Sequence, residues 1–166
     1  FTANWSPKKY AITFIVDGII STKNQSYGSM PSYGSTPTKQ SSNEHTYFKF
    51  SHWQPELKTI DGNATYEAVF TENFKSYNVD LTSTHTKGGN LSGSGIYVYN
   101  STVTISTSVN TGYNFLGWYS NNSLVSTNTS YTINNISSHM SFQAKFELIN
   151  YTNKNKNTKN ATNSNK

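Results

Sequence analysis

Tyr66-Glu67-Ala68-Val69-Phe70 decides how this chain is read, because it returns as Phe142-Gln143-Ala144-Lys145-Phe146 and as Phe1-Thr2-Ala3-Asn4-Trp5. In each phrase two aromatic rings flank an alanine at alternate positions. Alternate positions of a strand face the same side, so Tyr66, Ala68 and Phe70 line one face while Glu67 faces the other. Two large rings around a small residue suit a closing strand crossed by something bulky from the opposite layer. The first two phrases in chain order are soon followed by strand-like runs opening with tyrosine, Tyr10-Ala11-Ile12-Thr13-Phe14 and Tyr77-Asn78-Val79-Asp80-Leu81. A phrase that closes one unit just before another opens marks a tandem array. Such arrays present or space things rather than catalyse.

A second matched phrase supports the repeat: Phe50-Ser51-His52-Trp53 and Phe115-Leu116-Gly117-Trp118. The chain is therefore expected to hold the last strand of a preceding repeat at 1–6, one repeat unit at 8–71 and a second at 77–148. Residues 151–166 are Asn, Lys and Thr with little to bury, and are expected to be a disordered polar linker. The matched phrases Tyr66, Ala68, Phe70, Phe50 and Trp53, with Phe115, Trp118, Phe142, Ala144 and Phe146, are the expected repeat core.

Aromatic residues make up 14% of the chain, so Tyr and Phe must supply most of the core. The remaining Thr, Ser and Asn favour strands and turns over helices, and the fold class is mainly β. Tyr10, Ile12, Phe14 and Val16 alternate, and Asp17-Gly18 then predicts a tight type I′ hairpin into a strand from Ile19. Residues 27–37 read as an irregular loop. Lys87-Gly88-Gly89-Asn90 and Gly93-Ser94-Gly95 read as hairpin turns, with Tyr97, Tyr99, Val103, Ile105 and Val109 sharing one face beyond them.

Charge excludes one class. All 13 basic residues are lysine, and Lys154, Lys156, Lys159 and Lys166 lie in the final stretch, beyond every Asp and Glu. The body is left nearly neutral and without arginine, so it has no electrostatic footprint for DNA or RNA. No cysteine is present, which argues against a disulfide-stabilised eukaryotic extracellular domain. No apolar run is long enough to span a membrane in this fragment.

Taken together, these phrases resemble the Listeria–Bacteroides repeat, also called the internalin B-type repeat, and its divergent cousin. The junction from Ala3 to Phe14 resembles the boundary between such repeats, as do Tyr27-Gly28, Gly34-Ser35-Thr36-Pro37, 50–53 and 62–70 within the first unit. In the second, Gly93-Ser94-Gly95, Gly112-Tyr113-Asn114-Phe115-Leu116-Gly117-Trp118-Tyr119 and 142–146 resemble the divergent type. His52 departs from the pattern, standing where glycine is usual before the tryptophan. The resemblance implies β-grasp-like units in a secreted or surface-anchored bacterial protein, without catalytic residues.

The residues themselves point the same way on chemistry. His45, His52, His85 and His139 are scattered without ligand spacing, so no metal or other cofactor is expected. Glu56, Asp61, Glu67 and Glu72 are the acids from which a hydrolytic pair could be drawn, and solvated strand-edge charges are the simpler reading. A Lys–Asn cross-link is a further possibility that the sequence leaves open. Tyr27, Tyr33, Tyr97, Tyr99 and Tyr119 are the candidate exposed rings for a ligand. The expectation is a non-catalytic, extracellular stalk or spacer module whose partners are neighbouring repeats. The alternative is direct binding of a glycan or host surface protein through those tyrosines.

Overall fold

The computed structural model describes residues 5–150, all in strands, turns and loops. The calls on 1–4 of the leading strand and on the tail at 151–166 fall outside the described residues. The chain divides into two compact units at Lys75/Ser76.

The first unit is one mixed sheet. Strands β1 (Lys9–Val16) and β2 (Ile19–Ser26) form a hairpin closed by Asp17-Gly18, both residues having positive φ, at 50° and 79°, as a type I′ turn requires. An irregular segment follows, then β3 (Thr46–Gln54) and β4 (Ala64–Phe74), which runs three residues past the boundary expected at 71. The order is β2-β1-β4-β3, with β1 and β4 parallel and the outer pairs antiparallel.

The second unit keeps that order among its longer strands. Its five-stranded sheet runs β10 (Ser123–Ser126), β9 (Tyr113–Ser120), β12 (Met140–Leu148), β5 (Ser76–Ser83), β7 (Gly95–Val98). Again the first and last strands, β5 and β12, are the central parallel pair. A separate sheet, β11-β8-β6, is built from Ser130–Ile133, Val103–Val109 and Gly89–Ser92. Val103 and Ile105 from this sheet join Val79, Trp118, Phe142, Ala144 and Phe146 in one buried core.

Two sequence readings are corrected here. The glycine turns are not hairpins: β6 pairs with β8, whereas β7 pairs with β5, so Gly93-Ser94 carries the chain from one sheet to the other. Gly93 is needed there, because a Cβ would meet the Thr104 carbonyl oxygen at 2.6 Å and its φ is +100°. Tyr97 and Val103 likewise belong to different sheets rather than one continuous face. The chain reverses at Asn100, whose φ is 65°, with the Ser101 N–H donating to Val98 O.

The matched phrases acquire a physical meaning from the register. Trp53 lies opposite Ala68 and Phe50 opposite Phe70; Trp118 lies opposite Ala144 and Phe115 opposite Phe146. Phe and Trp three residues apart would face opposite sides of a regular strand. A bulge at Ser51 in β3, and at Leu116 in β9, absorbs one residue and returns both rings to the core face. The rings then meet at 5.4 Å in the first unit and 5.7 Å in the second. Around them, Phe14 packs against Trp53 and Tyr66, and Phe115 against Phe146.

The glycine departure at His52 is also resolved, for the position is a bulge rather than a turn. In the second unit Gly117 has φ +138°, and a Cβ would fall 2.4 Å from Leu124 Cδ1 and 2.7 Å from Ser126 O, both on the added edge strand β10. Among the described residues the first unit has no strand beyond β3, and His52 is exposed. Gly117→Ala is therefore expected to cost about 1–3 kcal/mol by chemical denaturation. His52→Ala should change stability by less than about 0.5 kcal/mol. Equal costs would show that β10 does not set the requirement.

Candidate functional site

The five candidate tyrosines are not brought together. Tyr33 and Tyr97, expected on the surface, pack against the cores: Tyr33 touches Phe14 and Trp53 at 5.5 Å each. The Tyr97 hydroxyl donates to Gly93 O at 2.9 Å. Their positions face inward because the loop carrying Tyr33 and strand β7 each close over one edge of a core. Tyr99 is half-buried. Tyr27 is 60% exposed and its ring lies 6.4 Å from Tyr10. Tyr119 lies half-buried on the face of the second unit's main sheet opposite the core.

Among the expected core residues, Trp118, Ala144, Tyr66, Phe142 and Phe146 are at most 5% exposed, while Trp53 and Ala68 are at 9%. Phe50, Phe70 and Phe115 pack against these cores from their margins. Buried polar residues among those described are Thr46 and Thr107; no lysine or carboxylate is buried. The cores therefore assemble no enclosed Lys, Asn and acid set of the kind a cross-link would need.

The titratable residues are dispersed. His139 Nδ1 accepts the Asn78 N–H at 3.0 Å, His52 Nδ1 sits beside Ser51 Oγ, His85 beside Thr84, and His45 against Glu44. No three His, Asp or Glu side chains among the described residues are grouped to hold a metal. Glu67 and Glu72 are an odd number of positions apart on unbulged β4 and point to opposite faces; Glu56 and Asp61 are exposed in the preceding loop. They do not form a facing pair.

On the outer face of the second unit a half-buried ring meets several polar groups. Tyr119, Gln143 and Thr82 lie side by side on β9, β12 and β5. With Ser141, Asn121 and Asn122 they line an open recess. Lys145 Nζ lies 3.9 Å from the Tyr119 ring centroid, a cation–π contact that restrains the ring. Asn121 and Asn122, with φ of 48° and 64°, form the type I′ turn between β9 and β10. Of this group the sequence reading singled out Tyr119 alone. The Asn-Asn dipeptide was a signal of the turn, and its place beside the tyrosine emerges only with the strand register.

Residues 79–150 match the family model of the divergent InlB B-repeat domain, which spans nearly all of the second unit from Val79 in β5. No curated protein and no solved structure matches the chain. No helix among the described residues is long and apolar enough to cross a membrane.

Dispersed histidines and acids make a clear expectation for metals. Neither a chelator nor added Zn²⁺ should move the melting temperature by more than about 1 °C, since only an ion bound to the folded state stabilises it by mass action. A shift of several degrees on chelation would reveal a site.

Proposed function

From a second unit that matches the divergent InlB B-repeat, a repeat module of bacterial surface proteins, we propose that this chain is a non-catalytic, load-bearing spacer of an extracellular protein. The observation that carries this reading is the position of the first and last strands in each unit. They are adjacent and parallel: Ile12–Ile15 beside Ala64–Glu67, and Val79–Ser83 beside Met140–Ala144. A parallel pair places the start of one strand and the end of the other at opposite ends of the ladder. The chain thus enters each unit at one end and leaves at the other.

The same geometry governs the response to tension. Pulling on the two ends of a unit draws its central strands past each other along their length. Every hydrogen bond of the parallel ladder then resists at once, joined in the first unit by the Phe14–Tyr66 ring contact that spans it. An antiparallel hairpin such as β1–β2, pulled at its open end, would instead lose its bonds one after another. Neighbouring repeats in the same protein are the implied partners, and an exposed surface rich in Thr, Ser and Asn suits a spacer in water.

Single-molecule pulling tests this. The chain has no cysteine, so attachment points can be introduced without background. Handles at Lys9 and Phe74 load the ladder in shear, and rupture should release about 200 Å of chain. Handles at the register partners Lys9 and Ser26 unzip the hairpin and should require a several-fold lower force. Equal forces in the two geometries would defeat the load-bearing reading.

A further inference from the structure

The recess beside Tyr119 has a chemistry that spacing does not require. Its lining is one aromatic ring, three carboxamides (Asn121, Asn122, Gln143) and two hydroxyls (Thr82, Ser141), with no charged side chain. Each carboxamide offers donors and an acceptor, and each hydroxyl offers both. Such groups match neighbouring sugar hydroxyls, which also donate and accept. A tyrosine ring offers the apolar surface on which the C–H face of a pyranose packs. We propose that this recess binds a hexose or N-acetylhexosamine unit of a neutral glycan.

The fold favours that ligand over an anion and sets the site's groups side by side. The nearby ammonium, Lys145, is engaged over the Tyr119 ring and does not line the recess, so no cation is presented to a phosphate or carboxylate. The polar groups stand on ordered backbone: Gln143 within central strand β12 and the two asparagines in a two-residue turn. Restraining the ring and setting the backbone of the amide residues before binding reduces the ordering cost that a weak polar site must overcome. Gly117 contributes to the arrangement, since its missing side chain leaves space for Leu124 and lets β10 bring the asparagines alongside.

The first unit supplies an internal control. By register, Gln54, Glu67 and Ile15 occupy the places of Tyr119, Gln143 and Thr82. That row has no aromatic ring and carries a carboxylate, and β3 is not followed by an asparagine turn into an added edge strand. The recess is a property of the second unit alone, and it stands or falls independently of the spacer role.

The test is an amide-resolved NMR titration of the full chain with maltohexaose, cellohexaose and tri-N-acetylchitotriose, and separately with the acidic probe sialyllactose. At least one neutral probe should give saturable shifts at Thr82, Tyr119, Asn121, Asn122, Ser141 and Gln143, while Ile15, Gln54 and Glu67 stay still. Tyr119→Ala should weaken that binding about tenfold or more, with unit-1 signals unchanged. Because that variant alters the sheet surface, Asn122→Gly serves as a second: it preserves the positive-φ turn, removes one amide, and should also weaken binding. The proposal is overturned if no neutral probe shifts these amides, if only sialyllactose does, or if both variants bind as the parent does.

Discussion

A tryptophan that lies across a strand can be buried only where the strand opposite carries almost nothing. That steric demand organises both units. Ala68 and Ala144 provide the gap, Trp53 and Trp118 fill it, and the rings on either side of each alanine wall it in. Burying one such ring removes roughly 200 Å² from water, worth on the order of 5 kcal/mol before entropy is counted. For units this small, that is a large share of the available stabilisation. Each alanine sits on the last strand, beside the parallel first strand. The notch therefore ties the last strand to its antiparallel neighbour, while the parallel first strand flanks the other edge and joins the end of the unit to its beginning.

How far the sequence revealed this depends on which residues are asked. The alternation of Tyr66, Ala68 and Phe70 follows strand periodicity and leads directly to one face of β4. Asp17-Gly18 named its own turn, because few residue pairs adopt two positive φ values at low cost. The relation between Phe50 and Trp53 was not legible in the same way. A spacing of three conflicts with a period of two, and only a bulge reconciles them. In the second unit Gly117 hints at that irregularity; in the first, His52 gives no sign of it. The sheet β11-β8-β6 was hidden for another reason. Its two shorter strands have four residues each and much of it is Ser, Thr and Asn, so its pairing is decided by distant partners rather than local pattern. The candidate site was legible only to the extent of Tyr119. Tyrosine is compatible with a core margin or an outer face, and Tyr33 and Tyr97 took the former.

The two units show how one closure tolerates different surroundings. In the first, the core is covered by an irregular segment whose Tyr33 reaches into it and whose Lys39 pairs with Asp17 at 3.1 Å. In the second, the chain between the corresponding strands builds a whole extra sheet, which supplies Val103, Ile105 and Ile133 to the core. Both solutions cover the face that carries the Trp–Ala contact. Neither needs to alter the parallel ladder, so loops can diverge in length while the connection between the ends of a unit is kept.

That division of labour also explains why any recognition chemistry belongs on the outer face. Inward positions of β4 and β12 are held by volume: a larger residue at Ala144 would displace Trp118, and a smaller one at Phe146 would leave a void. Outward positions of the same strands carry no such burden, and Glu67 and Gln143, which correspond by register, differ in charge. An added edge strand can then place a turn beside that face without touching the core, as β10 does with Asn121 and Asn122. In the load-bearing role proposed above, tension would pass along the backbone ladder and its inner packing, while a ligand would meet only side chains on the opposite surface. A unit built this way could carry a ligand-facing surface on one side of its sheet without any change to the core on the other.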